Sequence, residues 1–164
     1  MATKTILATL CFVLRKYNEN TEVLLLERNK KPDDFHNGRY VGLGGKLEVN
    51  EPPRDGIIRE VQEEANIAIE PSFRGILHEI FTKTKQNKET RWLVFIYTAD
   101  FPLGGQLKDC EEGTFHWVDK NKINDVHMWE GDYEFLDILF NTSEIVELHT
   151  HYSDGQLVSW KRYQ

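Results

Sequence analysis

The chain has 164 residues, 40% of them hydrophobic and 29% charged, enough for one compact domain (residues 1–164) whose core needs no staple. Its 27 acidic residues outnumber 20 basic ones, a net charge of −7, which argues against a general electrostatic grip on a nucleic-acid polymer, so an anionic ligand must be held locally. Cys11 and Cys110 lie far apart and outside any C-x-x-C or Cys/His pattern, which speaks against a disulfide framework or a zinc site and fits a reducing cytoplasm.

An apolar run, Ile6 to Leu14, follows Lys4 and superficially has the look of an export signal. No small-x-small cleavage site comes after it, since Arg15, Lys16 and Tyr17 follow, and it is too short to span a bilayer. A buried strand over Thr5–Leu14 is expected, paired through the polar turn Lys16–Thr21 with a second strand at Glu22–Glu27. The loop Asn29–Gly38 leads to Gly42-Leu43-Gly44-Gly45, where the backbone can take conformations closed to other residues. From Pro53 the apolar residues Ile57, Ile58, Val61 and Ala65 recur at helical spacing, which predicts a helix ending near Ala65 or Asn66. Strands follow at Phe73–Thr82, Arg91–Asp100 and near Phe115–Val118, then a helix over Asp132–Phe140. Glu144–Tyr152 and Gln156–Arg162 flank Ser153-Asp154-Gly155 and predict a closing hairpin. The expected fold class is therefore α/β, a mixed sheet covered by helices.

Chemistry concentrates in Gly45 to Ile67, where a glycine loop runs into a helix dense in carboxylates. Glu60, Glu63 and Glu64 stand at i, i+3 and i+4, so they share one helical face while the apolar positions cover the core. Such a cluster repels itself unless a cation sits against it, and its hard oxygen ligands suit Mg²⁺ or Mn²⁺; a solvated charged face is the plain alternative. What raises the cluster above that alternative is its spacing. Gly45, Glu51, Arg59, Glu60, Val61, Glu63, Glu64 and Ile67 fall at the intervals of glycine, five residues, Glu, seven residues, then Arg-Glu-apolar-x-Glu-Glu-x-Gly-apolar, and so the stretch closely resembles the box of the Nudix hydrolases. Asn66 stands where that motif has glycine, and Asn is the residue that best replaces Gly in a left-handed helix end.

The resemblance implies an α/β/α sandwich with a mixed sheet between helices. It further implies an enzyme, a Mg²⁺-dependent hydrolase of a nucleoside triphosphate phosphoanhydride in which Mn²⁺ can substitute. It makes Glu60, Glu63, Glu64 and the Gly44 carbonyl metal ligands, with Glu60 or Glu63, or else a carboxylate outside the box, activating water and Arg59 orienting a glutamate. Glu51 would hold the loop or assist the metal shell. Family members often take a further acidic ligand from a loop before a Trp-containing strand; Glu111 and Glu112 precede Trp117 here, with an acidic surface turn as the alternative.

Phe35–Gly45 and His127–Phe135 are similar to the MutT-type branch, whose enzymes act on oxidised purine triphosphates such as 8-oxo-dGTP, giving a nucleoside monophosphate and pyrophosphate. In that branch an Asn just before the glycine loop and a pair of acidic residues after a Trp read the purine, and Val41 and Gly131-Asp132 stand at the comparable places here, a departure from the pattern. Trp129 and Tyr40 could stack on a base, Asp132 could bond its edge, Gly45 lets substrate approach, and Arg28 and Lys46 are candidate phosphate contacts. His149 and His151 share a strand face but have no third ligand suggested nearby, and Phe81, Trp92, Phe95 and Tyr97 read as sheet packing. Two other readings stay open: a pyrophosphatase of ADP-ribose, a nucleotide sugar or a dinucleoside polyphosphate, and a nucleotide-sensing module without turnover. Either a monomer or a homodimer is compatible with the sequence, and no membrane association is expected.

Overall fold

The computed structural model describes residues 3–163. Its strands are β1 (Thr3–Tyr17), β2 (Asn20–Glu27), β3 (Tyr40–Val41), β4 (Ser72–Lys83), β5 (Lys88–Asp100), β6 (Thr114–Asp119), β7 (Val146–Ser153) and β8 (Gln156–Tyr163); its helices are α1 (Pro53–Ala65) and α2 (Tyr133–Asn141). The strands form one mixed sheet of order β3-β2-β1-β5-β4-β7-β8, with β6 also on β2. The central pairs β1–β5 and β4–β7 run parallel, and the hairpin partners run antiparallel.

The central strands are buried on both faces, and their alternating residues feed two separate cores. Ala8, Phe12, Val94 and Ile96 face one side, where Phe135, Leu136 and Leu139 of α2 cover them; Cys11, Val13 and Tyr97 face the other, beneath Ile57, Val61 and Ala65 of α1. The expected sandwich is therefore present. Phe95 and Tyr97 pack as anticipated on the α1 face, whereas Phe81 and Trp92 line a cavity described below.

Local chemistry sets the ends of α1. Pro53 opens it, where its missing N–H costs nothing, and Asn66 closes it in the left-handed conformation (φ 60, ψ 35), its N–H bonded to the Gln62 carbonyl. The closing hairpin turns on Asp154 and Gly155, both at positive φ. The first hairpin is tighter than the sequence suggests, because strand structure runs to Tyr17 and resumes at Asn20.

One feature went unforeseen in the sequence. β1 and β2 pair only from Tyr17↔Asn20 to Val13↔Leu24 and then part. Residues 40–46 enter the gap, pairing with β2 through Tyr40 and Val41 and with β1 through Leu43 and Lys46. The Cys11 N–H donates to the Leu43 carbonyl at 2.7 Å, Leu43 N–H returns a bond to the Cys11 carbonyl at 2.9 Å, and Thr9 N–H donates to the Gly45 carbonyl at 2.8 Å. Glycine is required at this approach: Gly44 has φ 145, and a Cβ there would lie 2.1 Å from the Thr9 carbonyl oxygen.

Candidate active site

The inserted glycines deliver the chain to α1 with the carboxylate face turned toward an open cleft. Glu60, Glu63, Glu64, Glu111 and Glu112 line it, together with Gly44, Gly45, Lys46, Arg28 and Trp92. Arg59 ties the loop to the helix. Its Nε and Nη2 donate to the two Glu51 oxygens at 2.7 and 3.0 Å, and its Nη1 reaches Glu60 and Glu63, each at 3.0 Å. Glu51 also accepts the Glu48 N–H at 2.9 Å, and with the arginine bonds as the main cause its carboxyl is held down at about 2. Glu51 thereby fixes the loop, and Arg59 is charged throughout the accessible pH range.

The three box glutamates differ in surroundings. Glu63 is largely exposed, with 59% of its side chain accessible, against 17% for Glu60. Burial raises the Glu60 carboxyl above its ordinary value, and the bond from Arg59 offsets only part of this. Glu64 is the most enclosed. Burial first, then the neighbouring Glu60 and Glu112 charges, push it up to about 8, opposed by a 3.0 Å bond from the Gly44 N–H and by Arg28. A carboxylate so placed wants a cation. The Gly44 carbonyl accepts no hydrogen bond among the described residues, while the Gly45 carbonyl is taken by Thr9.

The donor set fits a hard divalent cation, since it consists of carboxylate and carbonyl oxygens around an uncompensated buried charge. Among the described residues no three acidic, His or Cys side chains come together in a group that could hold a metal by themselves. Across the cleft, Glu112 accepts from Arg28 Nη1 at 2.9 Å, Lys31 stands 3.5 Å from it, and Glu111 is exposed. Arg28 also bonds Asp34 at 2.6 Å; burial alone would raise the Asp34 carboxyl, but the His36 N–H and the guanidinium outweigh it and lower it.

A mostly apolar cavity adjoins the cleft. Ala8, Leu10, Val41, Leu77, Phe81, Val94 and Trp129 contribute apolar wall, and Glu79 and Asp132 contribute carboxyls. Gly44, Gly45, Arg28, Phe35, His36 and Trp92 belong to both spaces, so cavity and cleft are one continuous site. Phe35 stacks on Trp129 at 5.0 Å and 26°, and Arg39 lies over the indole at 3.8 Å. Trp129 Nε1 donates to His36 Nδ1 at 2.9 Å. Burial, then Arg28, lowers His36 to about 4, so its ring is neutral and able to accept that bond at neutral pH.

Of the residues anticipated for substrate, Arg28, Val41, Gly45, Trp129 and Asp132 line the cavity and Lys46 the cleft, its Nζ 5.7 Å from the Trp92 ring. Tyr40 is not brought in. It lines neither space: its side chain packs against the α2-side core, with the ring 5.3 Å from His116. Sequence reasoning missed Glu79, Phe35, His36, Phe81 and Trp92 as lining residues. Glu79 alone left a signal, a charge on the same strand face as Leu77 and Phe81. On the other side of the sheet His149 stacks on His78, with their Nδ1 atoms 2.9 Å apart, and His151 contacts Thr82.

Residues 7–139 match the family model for the NUDIX domain. A Bacillus subtilis protein described as an uncharacterized Nudix hydrolase, YvcI, is 31% identical over 142 residues, 85% of either chain. An 8-oxo-dGDP phosphatase, NUDT18, of Danio rerio is 29% identical over 71% of this chain, which spans 34% of that protein's length. The crystal structure of a mutator MutT protein from Bacillus halodurans superposes with a TM-score of 0.80 at 26% identity, covering 96% of this chain and 97% of the other.

Proposed function

The chain belongs to the Nudix hydrolase family, enzymes acting on nucleoside diphosphate derivatives, and on that premise we propose that it is a single-domain, Mg²⁺-dependent nucleoside triphosphate pyrophosphohydrolase acting on a purine nucleotide, with the oxidised base of 8-oxo-dGTP as the favoured case. The observation that carries this reading is the shared wall. A base-sized apolar space and a carboxylate cleft meet at Gly44 and Gly45, so one molecule with an aromatic end and an anionic end can occupy both. The relatives named for MutT and for 8-oxo-dGDP hydrolysis lend support to the oxidised purine.

In this reading the base lies against Trp129 and Phe35, and the phosphates extend past the glycines. Glu63, Glu64 and the Gly44 carbonyl would hold Mg²⁺, with Glu111 and Glu112 in reach of the same cleft. When bound, the ion supplies charge neutralisation on the phosphate oxygens during in-line displacement. Glu60 suits the proton acceptor better than Glu63, because a carboxylate raised by burial is the stronger base and Glu60 is the more enclosed of the two. Arg59 keeps both carboxylates oriented, and Lys46 and Arg28 flank the phosphate path. The products are a nucleoside monophosphate and pyrophosphate, with no covalent intermediate.

The test is a Mg²⁺-dependent hydrolysis panel of 8-oxo-dGTP, dNTPs, NDPs, ADP-ribose and nucleotide sugars, with Glu64→Gln as control. Preferred turnover of purine triphosphates, lost in the variant, is expected. Turnover mainly of ADP-ribose or a nucleotide sugar would overturn the substrate class, and no turnover at all would overturn the enzyme in favour of a sensing module.

A further inference from the structure

Glu79 occupies an improbable place for a carboxylate. It sits in the middle of β4, in register with Trp92 on β5 and Thr150 on β7, with Leu77 and Phe81 beside it on the same face. Asp132 approaches the same cavity from the turn after Trp129 and is only 7% exposed. That turn is held rigidly, the Asp132 N–H on the Trp129 carbonyl at 2.9 Å and the Gly131 N–H on the Tyr152 hydroxyl at 2.8 Å. Neither carboxyl takes a hydrogen bond or a salt bridge from any described residue. The buried Thr150 hydroxyl, on the strand position opposite Glu79, also has no partner.

Asp132 is buried and Glu79 partly so, and holding two carboxyls there without partners is costly. The cost becomes intelligible if a ligand supplies the missing donors. We infer that Glu79 and Asp132 together form the base-reading edge of the cavity and select the guanine type of purine edge, in which a ring N–H and an adjacent exocyclic amino group both donate. The inference rests on the cavity being the base site proposed above.

Burial raises both carboxyls, and the charge of Asp132 raises Glu79 further, so near neutral pH the pair retains proton character and offers several acceptors with one donor. Guanine matches that inventory, N1–H and N2–H₂ donating to carboxylate oxygens and O6 accepting the remaining proton. Adenine places an acceptor at N1 and carries a single exocyclic donor, and hypoxanthine lacks the N2 amine. An oxidised guanine keeps the same edge, so this pair recognises the base without reference to C8.

Calorimetric titration of the full chain with GMP, IMP and AMP, without metal, reads the pair independently of turnover, and hydrolysis kinetics of dGTP, dITP and dATP follow. GMP is expected to bind roughly 10-fold or more tightly than IMP or AMP, the loss set by an unmatched buried polar group. Glu79→Gln should bring GMP to the level of IMP, and the ratio of kcat/KM for dGTP over dITP should fall to about one. Asp132→Asn provides a second variant with the same expected collapse. Equal binding of the three monophosphates, or a guanine preference unchanged in both variants, would overturn the inference. Hydrolysis without base preference sinks the pair and leaves the hydrolase standing; guanine-selective binding without hydrolysis of any nucleotide does the reverse.

Discussion

The cleft and the cavity share a wall but are built on opposite principles. The cleft takes its principal charges from a single stretch, Glu51 to Glu64, whose geometry follows from one helix and one arginine. The cavity draws on β1, the residues around Phe35, β3, the β4–β5 hairpin and the turn after Trp129, elements spread from Ala8 to Asp132. The cleft is charged and open; the cavity is apolar except for two carboxyls. The difference teaches that the bond-breaking chemistry is locally encoded and portable, whereas choice of base depends on the tertiary arrangement of the whole sheet.

Breaking the cleft alone should have the largest effect. Glu64→Gln is expected to lower kcat by about 10²–10⁴-fold while GMP affinity measured without metal stays unchanged; a parallel loss of GMP binding would show that the two regions are not separable. Breaking the wall between them comes next. Gly44→Ala forces a Cβ onto the Thr9 carbonyl and should cost about 2–4 kcal/mol of stability in chemical denaturation, with loss of both functions. Phe35→Ala removes only an exposed ring stacked on Trp129, so KM should rise by about 2–10-fold with kcat and stability kept.

The smallest effect sharpens the comparison through pH. Glu79 is pushed up to about 8 and Asp132 to about 7, chiefly by burial, and Glu64 in the cleft to about 8. Groups raised in the folded state hold more protons folded than unfolded, so their contribution is full below the unfolded carboxyl range and is lost as pH rises through 7–8. Around the pair stand Arg39, which opposes the rise, and Tyr152, itself raised by burial. The ligand-free protein should therefore lose thermal stability between pH 5 and pH 9, and Glu79→Gln should flatten that decline. An unchanged slope in the variant would remove Glu79 from the account.

The same contrast explains what the sequence disclosed. The box carboxylates are legible because Glu60, Glu63 and Glu64 lie within helical reach of each other, and the α1 boundaries and the left-handed Asn66 follow from periodicity and capping. Tyr40 falls outside both spaces because its ring is taken up by His116 and the α2-side core, neighbours that no local spacing connects to it. Glu79 stayed hidden because its meaning depends on Asp132, 53 positions later, which no local spacing connects to it. The parting of β1 and β2 has no sequence mark beyond glycines that also suit an ordinary loop.

That parting bears on how the chain finds its fold. The β1–β2 hairpin closes over two residues and is among the quickest long-strand contacts available, whereas the Thr9 to Gly45 closure spans 36 residues. If the hairpin zipped onward in its native register, Leu25 and Leu26 would occupy the ladder positions opposite Phe12 and Cys11, and the catalytic loop would have no seat. Rapid local pairing therefore competes with assembly of the site, and it is the Tyr40–Val41 pairing on β2 with the Leu43 and Lys46 bridges on β1 that occupies the edges such zipping would use.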